Sequence, residues 1–375
     1  MRYGHFVSQL QGNMKYNAYI PAALPFKIND YNSVMNEALS GANIAIGKLS
    51  SMATAIPDVD FFTFMYVKKE SVLSSQIEGT LATFSDLLKA EAEINFGEMH
   101  NDVDEIINYI SAMNHGLKRL NRLPLSLRLI REMHELLLKG VRGHGRMPGE
   151  FRRTQNWMGG VSIQRASYVP PPAHEVMGLL GNLEKYMNEK TGEPELQKAA
   201  IIHMQFEAIH PFLDGNGRIG RLLITLYLCA IGLLKKPMLY LSEYFRTHRQ
   251  EYYDRLQAAH AGDDIEGWLL YFYDAVAETS NTALKTCEKI INIKAVNDDK
   301  ISAMGRASKN AAALMESLYR KPMVRISDIN RITGIKNPNS NLLAEKFVSM
   351  GILKEITGRV RNRIFIYKSY VDLFE

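Results

Sequence analysis

Apolar positions along most of this chain recur at three- and four-residue spacing, the period of an amphipathic helix. Residues 1–30 lack that rhythm and contain Pro21 and Pro25, so they read as an extended arm laid over a core. From Tyr31 to Ala55 the stripe is Val34, Ala38, Ala42, Ile46 and Leu49, with Asp30 placed to cap it. A second helix is expected from about Asp58. A third, able to continue it, covers Glu70–Ala90 with Leu73, Ile77, Leu81 and Phe84 in one row. Asp102–Leu120 follows, then, after the break at Pro124, Leu127–Lys139 with Ser126 as its cap.

The rhythm stops at Val141–Pro172, where Gly143, Gly145, Gly149, Pro148 and the triplet Pro170–Pro172 forbid a long helix. Two strand-capable runs there, Phe151–Asn156 and Val161–Tyr168, flank Gly159-Gly160 and predict a β-hairpin. Helical spacing returns over His174–Glu189, Glu193–Ile209, Arg218–Leu234, Ser242–Ala261 and Ile265–Ile293. The polar run Asn297-Asp298-Asp299-Lys300 is the expected domain boundary. Beyond it come helices at Ser308–Tyr319, Asp328–Thr333 and Asn339–Met350, then strand-like runs at Ile352–Ile356 and Arg363–Tyr367. Three helices followed by a two-stranded wing is the pattern of a winged helix-turn-helix, a module that docks on DNA or on protein. The fold class is therefore mainly α.

A length of 375 residues suggests two or three domains, and 46% hydrophobic with 23% charged residues excludes a disordered or collagen-like chain. Two cysteines, Cys229 and Cys287, exclude a disulfide framework and a multi-cysteine metal site. No apolar run reaches the ~20 residues that span a bilayer, and the first residues lack the apolar segment of a signal peptide. The expectation is a soluble cytoplasmic protein with no membrane partner. Charge is unevenly spread. Residues 306–375 hold 13 Lys and Arg against 6 Asp and Glu, whereas residues 1–305 hold 32 against 34. The basic tail fits an acidic partner such as DNA, or simply a solvated surface.

One string concentrates chemistry: His210-Pro211-Phe212-Leu213-Asp214-Gly215-Asn216-Gly217-Arg218-Ile219-Gly220-Arg221. Pro211 ends a helix, and Gly215 and Gly217 let successive N–H groups curl into an anion-binding nest. A long apolar helix begins at once, so its positive dipole end adds to the nest. Arg218 and Arg221, three apart, can both face one anion. Asp214 is the one carboxylate available to a phosphate-bound Mg2+, Asn216 can donate to a phosphate oxygen, and His210 is the natural base for a hydroxyl. A lone His-Pro or Gly-Asn-Gly is usually packing or a turn, but so many complementary groups within 12 residues point to a polyphosphate.

This string resembles the Fic/Doc family motif, His-x-Phe-x-Asp/Glu-Gly-Asn-Gly-Arg-x-x-Arg, at every specified position. The likeness extends to Ser74-Ser75-Gln76-Ile77-Glu78-Gly79, Pro148-Gly149-Glu150-Phe151-Arg152, Tyr168-Val169-Pro170-Pro171-Pro172 and Tyr240-Leu241-Ser242, together spanning most of residues 30–280. The resemblance implies a Fic-type helical core that transfers AMP from ATP to a Ser, Thr or Tyr hydroxyl of a target protein or of itself, releasing pyrophosphate. It gives His210 the base role and Asp214 the Mg2+. It gives Gly215, Asn216 and Gly217 the cradling of phosphates, and Arg218 and Arg221 the β- and γ-phosphates. The hairpin becomes a flap that pairs with an extended segment of the target. Tyr253 matches an adenine-contacting position, though Tyr252 and Tyr253 can equally be packing aromatics. His260 stands where the family often has Asn.

Ser74-x-x-x-Glu78-Gly79 fits the family's inhibitory pattern, which implies that Glu78 pairs with Arg221 and keeps it from the γ-phosphate; the same Glu could align a water for removing AMP. The implied organisation is an N-terminal helical region (1–100) carrying this motif, a Fic core (101–296) and a winged helix-turn-helix (306–375). Two other readings stay open: transfer of a different phosphate-containing group, and a DNA-binding regulator whose core senses nucleotide. A homodimer is compatible with either.

Overall fold

The computed structural model describes residues 3–28, 32–55, 60–92, 100–359 and 361–375; the expected cap Asp30 and helix start Asp58 lie outside them. The chain opens with β1 (Gly4–Gln9) and β2 (Tyr16–Pro21), paired antiparallel from Gly4↔Pro21 to Gln9↔Tyr16. The arm expected over residues 1–30 is thus largely a hairpin, and it is sewn to the molecule by Tyr19, whose N–H donates to Val169 O at 2.9 Å. The helical stretch comprises α1 (Ser33–Ala55), α2 (Asp60–Ile77), α3 (Phe84–Glu91), α4 (His100–Leu120) and α5 (Leu127–Leu137). After the glycine-rich loop come α6 (Val176–Asn188), α7 (Glu195–Ile209), α8 (Asn216–Ala230), α9 (Ser242–Thr247), α10 (Arg249–Ala261) and α11 (Ile265–Ser302). The helix expected over Ser242–Ala261 is broken at His248, whose φ of −107° and ψ of 42° leave the helical region.

The long third helix is also divided. α2 stops at Ile77, and Leu81, expected on the buried stripe, is 79% exposed. A capping box between Thr83 and Asp86 starts α3 afresh. α7 lies at the centre. Every residue after Glu195 is buried, so its polar side chains need internal partners or carry unpaired groups. α8 is nearly as enclosed, from Asn216 to Leu228 with Gly217 the exception among its first thirteen residues.

The hairpin expected within Phe151–Tyr168 is present only as a reversal. Its ladder is the single antiparallel bridge Met158↔Tyr168, with a 3-10 turn at Ile163–Arg165 replacing a second strand. Arg152 and Gln155 send their side-chain donors to loop carbonyls instead, Gln155 Nε2 reaching Pro170 O at 2.9 Å.

The expected boundary at Asn297–Lys300 is not a linker. α11 runs through it to Ser302, and Asn297 is buried there, its Nδ2 donating to the Tyr367 hydroxyl at 2.6 Å. The tail is α12 (Ser308–Arg320), β3 (Met323–Arg325), α13 (Ile326–Thr333), α14 (Asn337–Ser349), β4 (Lys354–Glu355), β5 (Ile364–Ile366) and α15 (Lys368–Val371). Its strands form an antiparallel sheet in the order β3-β5-β4. The pattern did not reveal β3 because it is only three residues long. Phe374 stacks on Phe84 and meets Tyr66 edge-on at 5.3 Å, so one apolar core continues from the tail into α2 and α3. No helix among the described residues is long and apolar enough to cross a membrane.

Candidate active site

The C-terminus of α7 and the N-terminus of α8 face each other across Pro211–Gly215. His210 caps α7 in the left-handed region (φ 47°, ψ 61°), an uncommon conformation for a residue with a β-carbon. It is held there from several sides. Arg152 Nε donates to His210 O at 2.9 Å, Arg152 N to Pro211 O at 2.8 Å, and Asn156 Nδ2 to Phe212 O at 2.9 Å. Arg152 is 3% exposed and also reaches Ile209 O and Pro171 O, so a guanidinium closes the negative end of α7.

The loop itself is shaped by side chains. Asn216 accepts from Phe212 N and donates to Phe212 O, both at 2.8 Å, and is 2% exposed. Its Oδ1 and one of its N–H groups thus shape the loop, while the residue still lines the pocket. The α8 backbone at Gly215–Gly217 remains in the pocket wall, with the first N–H groups of the helix outside the i→i−4 ladder. Gly215 needs its freedom, at φ 77°. His134 on α5 pins the same loop: Gly149 N donates to its Nδ1 and its Nε2 bonds Asp214 O, both at 2.9 Å, with the ring stacked 3.7 Å from Phe212. Burial pushes His134 down to about 4, so it is a neutral brace.

The two arginines do not converge on one point. Arg218 turns to Glu105 on α4 (3.4 Å) and to Asp214 (3.6 Å), and it is absent from the pocket lining. Arg221 turns to the end of α2. Its Nε donates to Ser74 Oγ at 2.8 Å, and its Nη2 to Ser74 O at 3.0 Å and to Glu78 Oε1 at 2.7 Å. Three residues correspond to about 300° around a helix, so each side chain is claimed by a different neighbouring carboxylate.

Glu78 lies one residue past α2, because Glu78 N bonds Ser75 O in a tightened last turn. That turn releases Ser74 O for Arg221. The carboxylate then rests against Gly217, where a Cβ would lie 2.3 Å from Glu78 Oε1. An anion therefore occupies the mouth of the anion-binding turn. Burial works against its charge, but Arg221, with Arg218 and His210, more than offsets this and holds the carboxyl below its ordinary range.

A pocket of about 540 Å3 is lined by Glu78, His210, Asp214, Gly217 and Arg221 together with Tyr252, Tyr253, Gln257 and His260. Burial pushes His210 down to about 4, helped by the Arg152 charge, so the imidazole is neutral near pH 7 and able to accept a proton. Of the two tyrosines, Tyr252 is core, hydrogen-bonded to His203 and stacked on Phe245 at 4.7 Å. Tyr253 is 39% exposed and lines the pocket with Arg249 beside its ring. His260 is buried against Met204 O and the rings of Tyr19 and Tyr168, closing that wall. Glu105, His134 and Asn156 carried no motif that marked them as part of the site, whereas Arg152 lies in the Pro148–Arg152 string.

Among the described residues no cluster of three or more His, Cys, Asp or Glu side chains is arranged to hold a metal. Asp214 alone fits a cation brought by phosphates. Gly143 leaves room for its carboxylate, since a Cβ there would lie 2.6 Å from Asp214 Oδ2.

A neutral histidine, the N-terminus of a buried helix and the paired Glu78 and Arg221 thus share one pocket of a mainly helical protein. Residues 124–228 match the model of the Fic/DOC family and residues 36–118 that of the Fic/DOC family N-terminal region, together half of the chain. The chain belongs to the Fic/DOC family. It is 32% identical over 212 residues to Protein adenylyltransferase Fic of Aedes aegypti, covering 54% of this chain and 39% of that relative. To the protein of the same name from Drosophila grimshawi it is 30% identical over 209 residues, covering 54% and 40%. The chain thus spans about two-fifths of the length of these relatives. Its fold is similar to a Fic family protein from Desulfovibrio desulfuricans G20, with a TM-score of 0.56 and 18% identity over 92% of this chain and 97% of that one. Fic-1 (aa134 - 508) from C. elegans matches with a TM-score of 0.51 and 22% identity over 70% of this chain and 74% of that one.

Proposed function

We propose that the chain transfers AMP from ATP to a Ser, Thr or Tyr hydroxyl of a target protein, releasing pyrophosphate, and that Glu78 restrains it. The observation that carries this reading is the placement of Glu78 between Arg221 and Gly217, in a pocket that also holds a neutral His210. His210 takes the hydroxyl proton as the oxygen bonds to the α-phosphorus and the bond to pyrophosphate breaks. The α8 N-terminus receives phosphate oxygens, and Tyr253 faces the adenine. Asp214 would hold Mg2+, which when bound spreads the phosphate charge. Met158 and its neighbours offer an edge of backbone on which an extended target segment can lie.

Arg221 can serve Glu78 or a γ-phosphate, not both. Replacing Glu78→Gly should raise AMP incorporation at least about tenfold, the equivalent of ~1.4 kcal/mol in the balance of the two states. Radiolabel transfer from ATP labelled at the α-phosphate reads this directly. The gain should disappear in Glu78→Gly with Arg221→Ala. A Glu78→Gly chain no more active than wild type would end the inhibition reading.

The exposed wing-tip side chains Arg359 and Arg361 favour a second, compatible role for residues 306–375 in holding DNA. Arg363 does not share it: its guanidinium is engaged by Glu345 and Asn341 on α14.

A further inference from the structure

Glu207 sits on α7 one turn before His210, and no motif read in the sequence assigned it a role. It is 8% exposed and lines the same pocket. Its Oε2 lies 3.8 Å from His210 Nδ1. Its Oε1 is sealed from solvent without a hydrogen-bond partner, and so is His210 Nδ1. A buried polar atom without a partner is unfavourable, so an unpartnered Nδ1 with a carboxylate oxygen 3.8 Å away marks a contact that a small closure would complete. Space for the carboxyl is provided by Gly220, where a Cβ would lie 2.3 Å from Oε1.

The backbone of His210 is already fixed by Arg152. The ring's tautomer is set by the partner of the nitrogen that does not react, and Glu207 offers the ring both its carboxylate and its backbone carbonyl. We propose, on the basis of the adenylyl-transfer reading, that Glu207 is the positioning residue of the general base: its carboxylate accepts from His210 Nδ1–H and so leaves Nε2 bare.

In the transfer step the target O–H bond breaks and its proton goes to Nε2. The oxygen bonds to the α-phosphorus, and the pyrophosphate departs with the electron pair of the broken P–O bond. The imidazolium so formed directs Nδ1–H at Glu207, whose negative charge steadies it. A protonated Glu207 does the opposite, donating to Nδ1 and stranding the ring proton on Nε2. The groups around the carboxyl are His203 and His210 on its own helix, Arg221 on α8, Glu78 beyond α2, Tyr252 and His260 on α10, and Tyr168 on the loop. Burial outweighs Arg221, Glu78 adds to it, and the carboxyl is pushed up to about 8. Raising the pH through about 8 therefore ionises Glu207 and frees the base.

The chain labelled with 15N-histidine reports the His210 tautomer by NMR, with His210→Ala identifying its signals. Between about pH 6.5 and 9.5 the wild type should shift to the Nδ1–H form, and Glu207→Gln should lack that step. In transfer assays Glu207→Gln should lower kcat about 10–100-fold with the KM for ATP within about twofold, and Glu207→Asp should recover part of the loss. A Glu207→Gln protein with the wild-type tautomer and pH profile overturns the proposal, as does a loss confined to KM. The tautomer measurement needs no turnover. It decides the Glu207–His210 pair even if wild type transfers no AMP, a result that would remove only the adenylyl-transfer reading.

Discussion

His210 and Arg221 illustrate how a residue's chemistry depends on what holds it. An imidazole at its ordinary value is partly charged near neutrality, whereas burial pushes His210 down to about 4 and leaves it ready to accept a proton. Removing it should therefore affect chemistry more than binding. His210→Ala is expected to lower AMP transfer by ~10²–10⁴-fold while calorimetry shows ATP affinity changed by less than about threefold. Wild-type transfer by that variant would rule out the assigned base. Arg221, by contrast, keeps its proton throughout, because burial is outweighed by Glu78, which pushes the guanidinium further up. Its value lies in five fixed donors, three contacts of which are spent on Ser74 and Glu78.

At the scale of elements, the site is two helix ends kept apart by one loop. Arg152 spans that gap, and its donors satisfy the carbonyls of Ile209, His210 and Pro171. Arg152→Ala should cost about 2–4 kcal/mol in a urea titration, because several buried carbonyls lose their partner at once. Arg152→Lys should recover little, since one ammonium cannot fork to separate carbonyls. In the tail, Arg363 beside β5 is braced to Glu345 on α14, while Arg359 and Arg361 stay exposed. If residues 306–375 hold DNA, the double variant Arg359→Ala with Arg361→Ala should weaken duplex binding and flatten the plot of log affinity against log salt by about two counterions. An unchanged slope would place the contact elsewhere or remove it.

At the scale of the whole molecule, the core holds an unusual set of titrating groups. Burial pushes His134, His210 and His260 down to about 4 and His203 to about 3. Each is neutral when folded, yet binds a proton below about pH 6.5 when unfolded. Their contribution is therefore present above that pH and is lost on acidification toward 4. Glu70 and Glu207 act in the other direction, because burial pushes them up to about 7 and about 8. Folded, they keep protons that the unfolded chain has released, so they lose less on acidification. Four imidazoles against two carboxyls leave an excess of two protons taken up on unfolding between about pH 6.5 and 4.5. Stability should fall with decreasing pH across that window, by on the order of 3 kcal/mol per unit at its steepest. Urea midpoints measured from about pH 7 to 5 read this, and a midpoint that rose on acidification would show that the carboxyls dominate.

How much of this was legible along the chain follows from the range of the forces involved. Helix period, glycine placement and the His210–Arg221 string depend on neighbours a few residues apart, so the mainly helical fold and the glycine-rich turn could be read directly, whereas the pairing of Glu78 with Arg221, 143 residues away, came only with the family resemblance. Short extended pieces could not. β1 and β2 lack a helical signal, β2 being held through Tyr19 N to Val169 O, and the reversal near Met158 takes its few bonds from Ser167 and Tyr168. A polar run at Asn297–Lys300 resembles a linker until Tyr367, 70 residues on, supplies a partner for Asn297. The same holds inside the site. Sequence spacing put Arg218 and Arg221 on one helical turn, but Glu105, Asp214, Ser74 and Glu78 decided where each guanidinium points. Local pattern determines which backbone forms and which chemistry is available; the directions of side chains, and hence their charge states and partners, are set by burial among residues far away in the chain.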